Sequence, residues 1–155
     1  MLKNFTITKV SHSNFQELLT LIEQLAFYEQ VNPPDEQGRQ RLRKDCLGDK
    51  PLFEAYLASR EQQPIGYLIV YYIYSSFLAL PVLFIEDVFV IEEYRRQGYG
   101  QQLFDFCKQL AKQKGCGRME WNVYTWNTPA LRFYEKNHAK KLDKYYYRLD
   151  RNQFA

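Results

Sequence analysis

The run richest in chemistry is Arg95-Arg96-Gln97-Gly98-Tyr99-Gly100, which follows the apolar stretch EDVFVI and opens a segment of helical period. A helix that starts there has first-turn N–H groups without intrahelical partners, and the positive end of its dipole lies at the same place. Glycines at 98 and 100 let the backbone approach a phosphate with no Cβ in the way. Arg95 and Arg96 bring charge that pairs with phosphate oxygens. The run therefore suits a pyrophosphate. It is not a P-loop, since no Gly-Lys-Ser/Thr follows, and it is not the GxGxxG dinucleotide fingerprint beside a first strand. The lesser alternative for the hexapeptide alone is a glycine-rich turn with solvated arginines.

Glu86 and Asp87 come just before this run. Adjacent residues of a strand face opposite ways, so at least one of these acids points toward a cleft or interface unless the pair sits at a solvated sheet end. Tyr134 follows Phe133 in a short helical pattern, and by position alone it reads as a core aromatic. The three cysteines, Cys46, Cys107 and Cys116, are odd in number and lack CxxC spacing. That argues against a disulfide framework or a cysteine zinc site and suits a reducing, cytoplasmic compartment. Cys107 lies on an apolar helix face and reads as a small buried hydrophobe. His12 and His138 are the only histidines, so a histidine metal site or a Ser-His-Asp triad would depend on one of them. No metal is expected.

The elements that must position these residues follow from periodicity. Phe5–Val10 reads as a strand. Phe15, Leu18, Leu19, Ile22, Leu25 and Ala26 recur at helical spacing, which predicts a helix over 14–29. Asn32-Pro33-Pro34-Asp35 breaks it, and a more polar helix follows over 36–47. Phe53–Ser59 alternates like a strand. Ile65–Ile85 is 21 residues without a charge, long enough to span a bilayer. Gly66, Ser75, Ser76 and Pro81, together with its β-branched and aromatic content, predict a buried hairpin instead, with strands over 66–74 and 82–91. A helix over 98–114, a strand over 118–124, a short helix over 128–137 and a last strand over 142–149 complete the chain. The order β-α-α-β-β-β-α-β-α-β implies an α/β sandwich on a mixed sheet, in one domain over 1–155.

Composition narrows the function classes. Hydrophobic residues at 46% and charged residues at 25% are globular proportions. A net charge of +3 does not imply nucleic acid by itself. The segment KNHAKKLDKYYYR interleaves basic and aromatic residues, but it is short and no nucleic-acid motif surrounds it, so no nucleic-acid partner is expected. The N-terminal MLKNFTITKVSHSNF lacks the apolar core of an export signal. Aromatics reach 17%, with 13 Tyr, and seven of those tyrosines fall in two patches, Tyr67/71/72/74 and Tyr145/146/147. Both patches read as cleft lining or interface.

With its flanks included, the sequence resembles the GNAT superfamily of N-acetyltransferases. The family's cofactor loop, Gln/Arg-x-x-Gly-x-Gly/Ala, is matched by Arg95, Gly98 and Gly100. FIEDVFVIEEYR (84–95) is similar to the family strand that splays from its neighbour. WNTPALRFYEK (126–136) is similar to the second cofactor motif, Asn-x-x-Ala/Ser…Phe-Tyr-Glu-Lys. LIEQLAFYEQ (21–30) is similar to the first helix of the diamine and polyamine acetyltransferase branch. The matches span nearly the whole chain in family order.

The resemblance implies a mixed, largely antiparallel sheet with a splayed strand pair and helices on both faces. It implies acetyl-CoA as co-substrate, its pantetheine arm on the backbone of Val88, Phe89 and Val90 and near Asn127. The pyrophosphate would sit on the loop Arg95, Arg96, Gln97, Gly98, Tyr99, Gly100 and Gln101. Tyr134 matches the tyrosine that protonates the departing thiolate, and Glu86 the acid that removes the amine's proton directly or through water. Tyr28, Glu29, Glu86 and Asp87 match the branch's substrate acids and their neighbour. Glu120, Trp121 and Asn122 lie where its substrate strand runs. His138 stands where the family has a glycine after the helix, and reads as a left-handed cap residue.

Two departures bear on the acceptor. Tyr74-Ser75-Ser76-Phe77 carries serines where the branch has an acid, and the tail lacks its Glu-Gly-Trp segment and is basic through Lys140, Lys141 and Lys144. Like-charge repulsion makes a long polycation less welcome. The expected activity is transfer of acetyl from acetyl-CoA to a primary amine of a diamine, a polyamine or an amino-acid-like molecule, in a homodimer, with no membrane partner. The alternatives are acetylation of a protein or aminoglycoside amine, or a non-catalytic CoA-binding module.

Overall fold

The structure, a computed structural model, describes residues 4–155. The chain divides into two compact units, one ending at Asn122 and one spanning Val123–Ala155.

The first unit holds β1 (Phe5–Lys9), α1 (Phe15–Glu29), α2 (Glu36–Leu47), β2 (Glu54–Arg60), β3 (Gln63–Ser75), β4 (Leu80–Val90), α3 (Tyr99–Gln113) and β5 (Arg118–Trp121). The strands lie side by side in chain order in one five-stranded sheet. Neighbours from β1 to β4 are antiparallel, and β4 pairs with β5 in parallel. The uncharged run Ile65–Ile85 is thus a hairpin, as its turn and β-branched residues predict. Among the described residues no helix is long and apolar enough to cross a membrane.

Local chemistry fixes the helix limits. Asp35 caps α2, its carboxylate accepting from the Gly38 amide at 2.7 Å. α1 ends at Gln30, which takes the left-handed conformation at φ 57. α3 buries Leu103, Phe104, Cys107, Leu110 and Ala111, spaced three and four apart along one face.

The sheet is covered on both faces. α1 packs on the face that carries Ala55, Leu57, Tyr67, Ile69 and Phe89, where Phe15, Leu18, Leu19 and Leu21 close a buried cluster. Tyr56 points the other way and meets Phe106 of α3, with ring centroids 4.9 Å apart. Gly66 is required where β3 crosses β4, because a Cβ there would collide with the carbonyl oxygen of Phe89.

The second unit contains α4 (Thr128–Lys136) and a short 3₁₀ turn at Arg151–Gln153. Asn127 caps α4 by accepting from the Ala130 amide at 3.3 Å. His138 has φ 59, the left-handed backbone expected of a cap residue. The last strand expected over 142–149 does not form: residues 139–150 take neither helix nor strand, and 140–150 are all exposed. An alternating pattern prepares one face for burial, but a strand exists only where a second backbone completes its ladder.

Candidate active site

The site begins where β4 parts from β5. Their pairing runs from Val82↔Arg118 to Ile85↔Trp121 and stops there. β4 continues through Val90 on the edge of β3, with Asp87↔Ile69, Val88↔Leu68, Phe89↔Tyr67 and Val90↔Gly66. From Glu86 onward, then, one edge of β4 is not laddered to β5, and alternate residues turn N–H and C=O groups away from β3. This is the splayed strand that the resemblance implies.

A bulge sits at the fork. Ile85 faces Val70 and Asp87 faces Ile69, so Glu86 is the extra residue without a cross-strand partner. A bulge re-aims side chains, and here it leaves Glu86 exposed while Asp87 is half-buried. Asp87 lies on the α1 side of the sheet, two residues from Phe89. Its Oδ2 accepts a hydrogen bond from the Tyr67 hydroxyl at 3.1 Å. Burial pushes the Asp87 carboxyl up to about 6; the Tyr67 bond opposes that rise, and the charges of Glu86 and Glu29 add to it. Glu29, at the end of α1, is also raised, by burial and then by Glu86. Three carboxylates from two elements therefore feel one another at the fork. Such a cluster attracts a cation and offers a base.

The neighbouring loop is held by Arg95. Its Nε donates to the Val90 carbonyl at 2.8 Å, and its guanidinium lies over the Tyr28 ring at 4.6 Å and the Phe89 ring at 5.5 Å. Arg95 thereby ties the end of β4 to the last turn of α1. Arg96 is exposed with φ 61, and Gly98, with φ 93, is the N-cap of α3 with no side-chain cap bond. Tyr99 is buried and packs 5.1 Å from Phe5, which anchors the first turn. A Cβ at Gly100 would meet nothing within 4 Å, so the helix start is open at that point. Gln97 sends its side-chain amide to the Glu93 carbonyl at 2.8 Å, which shapes the loop.

Trp121 turns toward α3, edge-on to Phe104 at 5.4 Å, while Glu120 pairs with Arg118 and Asn122 is exposed. Tyr134 and Asn127 lie in the second unit. There Tyr134 is half-buried on α4, 5.4 Å from the Phe133 ring. The first unit thus brings together Tyr28, Glu29, Glu86, Asp87, Phe89, Val90 and Arg95.

Sequence reasoning missed three features: the bulge, the Arg95 clasp and the Tyr67 bond to Asp87. Only the last had a signal. A tyrosine deep in an uncharged hairpin needs a hydroxyl partner, and Asp87 is the acid at the hairpin's far end. The thiols are poor nucleophiles. Burial pushes Cys107 up to about 12 and raises Cys46 and Cys116.

Comparisons with known proteins agree with this geometry. The model of the acetyltransferase (GNAT) family matches residues 17–139. Thialysine N-epsilon-acetyltransferase of Caenorhabditis elegans is 30% identical over 134 residues, covering 86% of this chain and 82% of that protein. The spermidine/spermine N(1)-acetyltransferase-like protein 1 of Homo sapiens is 29% identical over 145 residues, 89% of this chain and 21% of that protein. Among solved structures, aminoglycoside N-acetyltransferase AAC(6')-Iy in complex with CoA has the same fold, with TM-score 0.79, 18% identity and 95% of both chains covered. With the family model spanning both the fork and the α3 loop, the chain belongs to the GNAT acetyltransferase family and is an N-acetyltransferase.

Proposed function

We propose that this enzyme transfers acetyl from acetyl-CoA directly to a primary amine of a small cationic molecule: a diamine, a polyamine or an amino-acid-like amine. The observation that carries the reading is the coincidence, at one fork, of the β4 edge that β5 leaves and the carboxylates Glu29, Glu86 and Asp87. An extended pantetheine arm fits a strand edge, and a cationic amine fits an acid cluster.

The residues present fit the donor. Val88, Phe89 and Val90 offer the backbone edge, and the amides from Arg96 to Gln101, at an uncapped helix start with an open Gly100, suit a pyrophosphate. Asn127 takes the pantetheine side in this reading. Acetyl-CoA supplies an acyl group activated as a thioester. Glu86, exposed on its bulge, removes the proton from the amine directly or through water as the N–C bond forms. The Tyr134 hydroxyl returns a proton to the sulfur as the C–S bond breaks, the part of a general acid. Tyr28, Glu29 and Asp87 hold the cationic acceptor, with Glu120, Trp121 and Asn122 along its path. A relative named as a thialysine N-epsilon-acetyltransferase and one named as spermidine/spermine N(1)-acetyltransferase-like support a small amine acceptor.

The same reading takes residues 1–155 as one acetyltransferase domain acting in the cytoplasm, which the free thiols of Cys46, Cys107 and Cys116 support. It takes a homodimer as the working form, supported by the exposure of Tyr145, Tyr146 and Tyr147 at 88%, 79% and 86% in a segment without a strand partner. Light scattering should then give twice the chain mass.

The decisive experiment is a thiol-release screen with acetyl-CoA against diamines, polyamines, lysine analogues including thialysine, and aminoglycosides. Release with small aliphatic amines is expected. Calorimetric binding of acetyl-CoA without release for any amine would replace the enzyme reading with a CoA-binding module.

A further inference from the structure

We infer that Tyr67 is a positioning residue: its buried hydroxyl fixes and keeps charged the Asp87 carboxylate, and so sets the pH below which a cationic acceptor is no longer held. The inference rests on the reading of the acid cluster as the amine-binding end of the site.

Tyr67 has no exposed surface, and its ring is locked against Phe89, its cross-strand partner, at 6.0 Å between centroids. The hydroxyl can therefore reach only what the sheet places before it, and that is Asp87 Oδ2 at 3.1 Å. The phenol's own ionisation is pushed well above its usual range, by burial first and then by the Asp87 charge. At any working pH it is therefore a donor. A donor held inside the core at hydrogen-bond distance from a carboxylate orients that carboxylate.

The groups around Asp87 explain why the bond matters. Glu86, one residue earlier on β4, and Glu29, at the end of α1, both repel its negative charge. Tyr28, also at the end of α1, already has its ring covered by the guanidinium of Arg95. Burial adds to the repulsion. The Tyr67 hydroxyl is the side-chain hydrogen bond that favours the ionised form, against two acids and desolvation. A hydrogen bond donated to the carboxylate favours its ionised form, so the loss of that bond moves the Asp87 ionisation upward by about one pH unit.

The test uses the full chain and the variants Tyr67→Phe, Asp87→Asn and their combination. Carboxylate chemical shifts of ¹³C-labelled protein, followed against pH, read Asp87 directly and need no substrate. Tyr67→Phe should move the Asp87 titration upward by about one unit. Thiol release with the best amine should lose about fivefold in kcat/KM at pH 6 and less than twofold at pH 8, through KM. In the Asp87→Asn background the same Tyr67→Phe change should be silent. An unmoved Asp87 titration, or an equal loss with and without Asp87, would make Tyr67 a packing residue and overturn the inference. If no amine is acetylated, the proposed function fails while the titration still decides the role of Tyr67. If Tyr67→Phe does not fold, the ¹³C chemical shift of the Tyr67 ring in the wild type decides. It should step at the pH where Asp87 titrates, as the hydroxyl's partner loses its charge, and a shift that ignores that titration would overturn the inference.

Discussion

Tyr67 and Tyr146 are the same side chain, each in a tyrosine-rich segment that the sequence predicts to be a strand, yet their fates are opposite. Tyr67 is fully buried, bonded to Asp87 and packed at a tilt against Phe89 across the sheet, whereas Tyr146 is 79% exposed in a segment with no ladder. Along β3 the exposure is graded. Tyr71 lies 5.1 Å from Phe84, Tyr72 sits under the Lys114 ammonium at 5.4 Å, and Tyr74 at the hairpin end is 69% exposed. Tyr72 shows what an incomplete partner costs. Its hydroxyl is buried with no hydrogen-bond partner among the described residues, and burial pushes it up to about 12. The hydrophobic pattern thus prepares a tyrosine for burial, and the strands on either side decide whether burial happens and what the hydroxyl does once buried.

The comparison breaks first at Tyr67→Ala. Removing a fully buried ring should cost about 3–5 kcal/mol, read as a lower urea midpoint at unchanged slope. If the loss is under 1 kcal/mol, β3 is not the wall of the core.

The acid beneath it gives the next effect. Asp87 holds its proton to about 6 in the folded state, against 3.8 ordinarily. The sign follows from proton counts. Between about pH 4 and 6 the folded state binds more protons than the unfolded state, so stability falls as pH rises through that window and is level above it. The fall is up to about 3 kcal/mol. Denaturation midpoints from pH 4 to 7 should show it in the wild type and lose it in Asp87→Asn.

Glu86→Gln separates the exposed acid from the buried one. If Glu86 is the base, turnover should drop about 100-fold, with the greater loss at low pH, while stability changes by less than about 0.5 kcal/mol. A pH–rate profile identical to that of the wild type would assign proton removal elsewhere.

The smallest effect belongs to the exposed tyrosines. Replacing Tyr145, Tyr146 and Tyr147 together by Ser should alter the stability of the dilute chain by under about 0.5 kcal/mol. The same change should abolish any rise of the midpoint with protein concentration. A large loss at every concentration would show that the segment is covered within its own chain.

Much of the molecule was legible in the sequence. The 3.6-residue spacing of Phe15 through Ala26 and of Leu103 through Ala111 gave α1 and α3, and the break at Asn32-Pro33-Pro34-Asp35 separated α1 from α2. The turn residues within Ile65–Ile85 distinguished a hairpin from a membrane span. The glycines at 98 and 100 marked a helix opening. All of these are local effects, carried by residues a few positions apart. The strand expected at 142–149 failed for the opposite reason: its pattern is local, but its ladder is not.

By itself, then, the sequence determined the helices, the hairpin and the order of the elements as far as α4, because caps, periodicity and glycine conformations act over neighbouring residues, and its motifs carried the resemblance to the family. Only the tertiary structure decided that β4 leaves β5 after Ile85, that Glu86 stands on a bulge, that Arg95 clasps Tyr28 and Val90, and that Tyr67 carries a hydroxyl to Asp87 across 20 positions of chain. Those features depend on register, and register is set where two strands meet, by packing across the sheet that no single stretch of sequence contains.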